Sequence, residues 1–290
     1  MSKLAVKEFF DSATWTLTFV AFDEKTKDAV IIDPVLDYDP GASKVSTESV
    51  AEVVAFVKKQ DLKVHYILET HAHADHLSGS QVLKKEFPKA KVAIGERIRD
   101  VQKLFKGVFG LGENFATDGS QFDQLLKDGQ EIVAGALKIK TLFTPGHTPA
   151  CASYLINDES LFTGDALFMP DYGTGRCDFP AGSAETLYDS VTQRIYSLPD
   201  HVKVYVGHDY MPGGRSVEFQ STVGEEKRKN IQLRAETAKA EFIAFRTDRD
   251  KTLAAPRLLL PSVQVNIDAG NLPVVSDNGT RYLKIPIRGL

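Results

Sequence analysis

The run Val64-His65-Tyr66-Ile67-Leu68 feeds directly into Thr70-His71-Ala72-His73-Ala74-Asp75-His76, and that junction constrains the fold more than any other stretch. The first segment reads as a buried strand, so four metal-binding side chains leave the end of a sheet together. Alternation along an extended segment sends His71, His73 and Asp75 one way, and a break into a helix at Asp75-His76 is expected to turn His76 back towards them. Imidazoles mixed with carboxylates suit zinc, iron or manganese, whereas calcium and magnesium take oxygen ligands alone. The plainer alternative, a solvated His-rich tract, sits badly between a strand and a helix start at Gly79.

The rest of the chain supplies what such a site needs. Strands over 4–10, 14–22 and 29–32 form an antiparallel meander, and 47–59 is an amphipathic helix with Val50, Val53, Val54 and Val57 on one face. After the strand 64–69, a helix over 77–86 stops before Pro88, and 91–95 is a further short strand. Glycines break up 100–128, leaving loops and a short helix over 98–104. Strands over 130–133, 137–144, 153–156, 161–163 and 203–206 make a second β-rich half. Three of them end on related turns: Thr144-Pro145-Gly146-His147, Thr163-Gly164-Asp165 and Val206-Gly207-His208. In each, glycine permits a sharp turn and the next residue projects into a shared cleft. Alone, any one of these reads as a turn residue; three of them after the first cluster give seven ligand candidates, His71, His73, Asp75, His76, His147, Asp165 and His208. His65 and His201 lack that setting and read as ordinary histidines.

Thr-His-Ala-His-Ala-Asp-His, Thr-Pro-Gly-His-Thr, Thr-Gly-Asp and Gly-His-Asp, in that order, resemble the metallo-β-lactamase superfamily over residues 10–210. The resemblance implies an α/β fold, a four-layer αββα sandwich with the metal at one edge of the paired sheets. Within it, Gly173-Thr174-Gly175-Arg176-Cys177-Asp178-Phe179, His208-Asp209-Tyr210 and the closing stretch 260–266 look like the sulfur dioxygenase branch. That likeness implies oxidation of glutathione persulfide with O2 to sulfite and glutathione, on one Fe(II) per chain held by His71, His147 and Asp165. His73, Asp75, His76 and His208 then orient the ligands and hold water around them. The same seven residues also suit a dinuclear hydrolase with Asp165 as a bridge, acting on glutathione thioesters like a glyoxalase II.

Two carboxylates on glutathione call for fixed cationic forks, and Arg176 and Arg215 are the candidates, with the Tyr210 hydroxyl near the sulfur. The plain alternative for Arg176 is a salt bridge to Asp178 or Asp171. Cys177 reads as a small buried residue, since only Arg176 beside it would lower its pKa. A helix over 183–197 capped by Ser183 covers the second sheet, and a charged helix follows over 225–246. Pro256, Pro261, Pro273 and Pro286 then predict short extended pieces, with Gln264, Asn266 and Arg281 as candidates for a pocket wall.

At 290 residues the chain is long enough for one large α/β domain or for a core domain with an appendage. The expected organisation is a sandwich domain over 1–221 with a C-terminal extension over 222–290 packed on it. A net charge of −4 offers no broad basic surface for nucleic acid, and no apolar run reaches the ~20 residues that span a bilayer. The opening stretch 1–8 lacks the apolar core of a secretory leader, so the expected compartment is the cytoplasm, with Cys151 and Cys177 as reduced thiols. The resemblance adds a homodimer as the expected assembly.

Overall fold

Alternating burial sorts the apolar side chains of the first half between two cores. The computed structural model describes residues 3–287; residues 1–2, the start of the opening stretch, and 288–290 lie outside it. Strands β1 (Leu4–Asp11), β2 (Thr16–Asp23) and β3 (Asp28–Ile32) pair antiparallel as the expected meander. On β2, Leu17, Phe19 and Ala21 face one core while Val20 and Phe22 face the other, so the whole strand is buried and reads as an unbroken apolar run.

β4 (Val35–Asp39) and β5 (Lys44–Ser46) form a small side sheet that the sequence did not announce, followed by α1 (Glu48–Lys59) and β6 (Lys63–Glu69). The expected helix over 77–86 is shorter. Leu77–Ser78 is β7, paired with β4, and α2 begins at Ser80 (Ser80–Glu86) behind Gly79. The chain therefore stays non-helical through Asp75 and His76, contrary to the expected break there. β8 (Lys91–Gly95), α3 (Ile98–Phe109) and β9 (Gln124–Leu126) complete the half, and α3 runs beyond residue 104 to a left-handed stop at Gly110. The sheet order is β1-β2-β3-β6-β8-β9, parallel from β3 onward. Val50, Val53 and Val57 of α1, Leu83 of α2 and Val101 of α3 cover its outer face.

The second half comprises β10 (Glu131–Ala134), β11 (Leu137–Phe143), β12 (Ala152–Ile156), β13 (Ser160–Phe162), α4 (Ala184–Asp189), β14 (Lys203–Tyr205) and β15 (Gln220–Thr222), with the strands in sequence order in one sheet. Ile139, Tyr154, Phe162 and Val204 pack with Phe19, Val30 and Ile32 of the first sheet, and Leu187, Val191 and Ile195 join the same core from the helical side. The expected helix over 183–197 is α4, capped by Ser183 as read, followed by one π-helical turn over Ser190–Ile195. The Ser190 hydroxyl donates to the Pro145 carbonyl at 2.6 Å and the Ser183 amide to the Gly146 carbonyl at 2.8 Å, so this helix holds the His147 turn in place.

Beyond residue 222 the chain departs most from expectation. The charged helix over 225–246 is two helices, α5 (Val223–Lys229) and α6 (Lys239–Asp250). Asn230 separates them: its side-chain oxygen accepts the amides of Gln232 and Leu233, a local turn that competes with helix. The stretch with Pro261 is also helical, α7 (Leu259–Asn266). Pro261 sits in its first turn, where a missing N–H loses no intrahelical bond. Val263, Val265 and Ile267 bury against the first sheet's helical side, and Leu233 and Phe242 join the inter-sheet core. Among the described residues no helix is long and apolar enough to cross a membrane.

Candidate metal centre

The two sheets are stitched together at one edge, and the ligand candidates converge there. Leu17 N donates to Gly207 O at 2.8 Å, Asp209 N to Trp15 O at 3.1 Å, Ala152 N to Thr70 O at 2.9 Å, and the buried Tyr154 hydroxyl to Glu69 O at 2.7 Å. All seven candidates belong to one cluster. Ligand atoms of His71, His147 and Asp165 lie within 4.8 Å of one another, as do those of His73, Asp75 and His208. His76 Nδ1 lies 3.1 Å from Asp75 Oδ2.

Each imidazole has one nitrogen held from behind. His71 Nδ1 lies 3.0 Å from Thr70 Oγ1, His73 Nε2 is 3.0 Å from Asp33 Oδ1, His147 Nδ1 donates to Arg176 O at 2.7 Å, and His208 Nδ1 to Trp15 O at 3.2 Å. The opposite atoms His71 Nε2, His73 Nδ1 and His76 Nε2 are buried without a hydrogen-bond partner. Buried polar nitrogens left open on rings clamped from behind are what a metal ion satisfies, so the donor set fits one. Asp165 lies between the two groups, Oδ2 3.4 Å from His147 Nε2 and Oδ1 3.3 Å from His208 Nε2.

The electrostatics separate these histidines. Burial, reinforced by neighbouring His73, holds His71 well below the usual histidine range, so its imidazole is neutral. For His208, burial works against the charge, but Asp165 and Asp75 outweigh it and raise the pKa to about 9. His73 is raised in the same way, burial being overcome by Asp33. Burial pushes the Asp165 carboxyl up, yet His208 and His147 outweigh it and hold it below the ordinary carboxylate range. An ion beside His73 and His208 therefore displaces protons, whereas His71 offers its lone pair outright.

The glycines before the three later candidates act in two ways. Gly146 and Gly164 have φ of 142° and 52°, the turns that the sequence required, and a Cβ on Gly164 would lie 2.5 Å from the Thr70 hydroxyl that orients His71. Gly207 has no such φ; a Cβ there would press on Asp165 Oδ1 at 3.0 Å, so close approach explains it.

A cavity of about 720 Å³ opens from Asp165 past Arg176, Tyr210 and α6, and a second of about 200 Å³ shares those three residues and reaches His147 and Asp75. Arg176 lines both, with its fork on Asp178 at 2.5 and 2.6 Å and a third bond to Ala254 O at 2.7 Å. The plain salt-bridge alternative is thus present, on a side chain that also walls the cavities. Tyr210 stacks on Tyr172 and His208, and burial together with Asp165 and Asp75 keeps its phenol protonated. Arg215 is outside both cavity linings; its fork is taken by Asp171 and Asp209. Cys177 is a free, buried thiol pushed up by burial. His65 pairs with Asp28 at 2.7 Å, away from the cluster.

One residue matters that the motifs do not reveal, Asp33, and another, Asn266, has a different role from the expected one. Asp33 accepts from Thr70 N at 2.7 Å and Thr70 Oγ1 at 2.8 Å as well as facing His73, and its φ of 48° is uncommon for a residue other than glycine. Asn266 was placed on a pocket wall; instead its amide nitrogen donates to the carbonyls of His73 and His76 and its oxygen accepts from Ser78 N, all at 2.8 Å. Gln264 and Arg281 likewise brace backbone, at Lys284 and at Pro273.

The metallo-beta-lactamase superfamily signature matches residues 16–208. The chain belongs to the metallo-β-lactamase superfamily. Its relatives there point in two directions. It is 49% identical to "Glyoxylase B2" of Dictyostelium discoideum, covering 100% of this chain and 98% of that one. It is 33% identical to the mitochondrial persulfide dioxygenase ETHE1 of Homo sapiens, over 79% of this chain and 76% of that one. The crystal structure of ETHE1 from Myxococcus xanthus superposes with a TM-score of 0.72 at 33% identity, covering 92% of this chain and 100% of that chain. The αββα architecture of this superfamily accounts for the two sheets, the outer helices and the ligand edge.

Proposed function

We propose that the protein is an Fe(II)-dependent persulfide dioxygenase, with one iron per chain on His71, His147 and Asp165. The balanced reaction takes glutathione persulfide, O2 and water to glutathione, sulfite and two protons, and serves to clear excess sulfane sulfur. The observation that carries this reading is the pairing of a neutral His71 with His147 and Asp165 in one buried cluster at the meeting point of two cavities. Two histidines and a carboxylate suit Fe(II), which would supply electrons for O2 and open positions for sulfur and oxygen when bound by these residues. The chain's own residues do the rest. His73, Asp75, His76 and His208 line the far side of the cluster, Tyr210 presents a protonated hydroxyl, and Arg176 offers charge to a substrate carboxylate. Arg215 acts at one remove, fixing Asp209 beside His208. The likeness to the human persulfide dioxygenase ETHE1 and to ETHE1 of Myxococcus xanthus supports this reading. The proposal includes a cytoplasmic location and a homodimer.

A second reading has its own observation. Asp165 turns one oxygen to His147 and the other to His208, as a bridge between two ions would, and the Dictyostelium relative is named a glyoxylase. That reading makes the protein a dinuclear hydrolase of glutathione thioesters. Elemental analysis of protein produced without added zinc, with O2 uptake on glutathione persulfide set against hydrolysis of S-lactoylglutathione, separates the two. The dioxygenase requires iron near one equivalent, lost in His147→Ala and largely kept in His208→Ala. Two equivalents of zinc with thioesterase activity would sink it.

A further inference from the structure

The charges around the two cavities do not cancel evenly. In the larger, Asp171 is met by Arg215 at 2.6 Å, Arg246 by Asp250 at 2.6 Å, and Arg176 by Asp178. Arg249, on the exposed side of α6, has no hydrogen-bond or ion-pair partner among the described residues. The smaller cavity carries the metal-site carboxylates, Arg176 and one more cation, Arg257, which is also exposed and without a partner among the described residues. Each cavity thus holds one uncompensated guanidinium, and the two cavities meet at Asp165, Arg176 and Tyr210 beside the metal ligands. Both arginines lie beyond residue 208, outside the part of the chain that the superfamily signature covers.

We propose that Arg249 and Arg257 are carboxylate anchors for the two arms of a substrate branched at its reacting sulfur, one arm per cavity, with Arg176, paired to Asp178 where the cavities meet, adding its charge to one of the two carboxylates rather than holding a third. The proposal rests on the glutathione reading above and deepens it. In glutathione the sulfur sits on the middle residue, with a carboxylate at the end of each flanking arm. With the sulfur at the metal ligands, the longer γ-glutamyl arm fits the 720 Å³ cavity and Arg249, and the shorter glycyl arm the 200 Å³ cavity and Arg257. Guanidinium forks match carboxylates bidentately, and an arginine with no internal partner gives up no existing ion pair when it binds one. The C-terminal segment thereby selects tripeptide thiols over single-armed thiols such as cysteine.

The test measures binding of glutathione, γ-glutamylcysteine (no glycyl arm) and cysteinylglycine (no γ-glutamyl arm) to the metal-loaded enzyme by calorimetry without O2. Wild-type protein should lose about two- to fivefold in affinity for each missing arm, the upper part of the range for a partly exposed ion pair. Arg249→Ala should weaken glutathione binding by a similar factor and lose nothing more when the γ-glutamyl arm is removed, while still responding to loss of glycine. Arg257→Ala should show the mirror pattern. If either variant stays as sensitive as wild type to loss of its own arm, or if the two patterns are exchanged, the assignment is overturned. No wild-type affinity for glutathione overturns it together with the reading on which it rests. The paired pattern without O2 uptake on glutathione persulfide upholds the anchors and sinks only the dioxygenase.

Discussion

Replacing Asn266 with alanine tests how far the C-terminal segment holds the metal-binding loop. The side chain is 4% exposed and makes three hydrogen bonds of 2.8 Å, to the carbonyls of His73 and His76 and the amide of Ser78. Each such bond contributes about 1 kcal/mol net, so Asn266→Ala should cost about 3 kcal/mol, more where water cannot reach the freed groups. In a domain of this size that lowers the melting temperature by about 6–12 °C. Asn266→Asp makes the sharper comparison. It keeps an acceptor for Ser78 N but turns an oxygen towards two carbonyl oxygens, so it should be no more stable than alanine although it is nearly isosteric. Denaturant unfolding of chelator-treated protein reads the cost without a contribution from bound metal, and elemental analysis of untreated protein reads the effect on occupancy. A loss below about 1 kcal/mol for alanine, less than the net worth of one such bond, or an aspartate variant close to wild type, would refute the clamp.

Other outcomes follow from single contacts. Arg176→Ala should weaken glutathione persulfide binding by about 2 kcal/mol, the low end for a charge-pair partner because Asp178 already neutralises much of the charge, with iron content unchanged. An unaltered KM would leave the residue to its salt bridge. Glu226 is fully buried between Ser221 and Asn230, and burial raises its pKa to about 7. Because the folded value lies above the unfolded one, the stabilisation of its protonated form is complete below the unfolded pKa of roughly 4.5 and is lost as pH rises through about 7. Glu226→Gln should remove that slope and be more stable than wild type at pH 8, by about 3 kcal/mol. Parallel stability–pH curves for the two proteins over that window would contradict the assignment.

The clustering of the seven candidates was legible because each sits in a short stretch where a strand ends and glycine or a second histidine follows, so local chemistry and local geometry coincide. The αββα order of strands and helices was legible where the strands are apolar, since β2 is buried along its whole length and announces itself as an apolar run. What failed were features without a local period. β7 is two residues long, and its pairing with β4 has no signature at either place. Pro261 argued for extended chain, yet a proline in a first helical turn is harmless. Asn230 stopped a helix through a side-chain turn that composition alone does not reveal. The clamp from Asn266 to His73 and the approach of Arg257 to Asp75 and His147 join residues more than a hundred positions apart, and Arg249 meets Asp165 and Arg176 across more than seventy. No spacing rule connects them, and only packing does.

His71 leaves the first sheet, while His147 and Asp165 leave the second. An ion held by these three is therefore a cross-link between the two halves of the sandwich, closing a long loop of chain much as a disulfide would. Unlike a disulfide, it can be withdrawn by a chelator without breaking a covalent bond. The edge where the sheets meet is in this sense a removable seam. Metal loading then protects the fold as well as arming the site, and protein stripped of its ion should open there first under heat or protease.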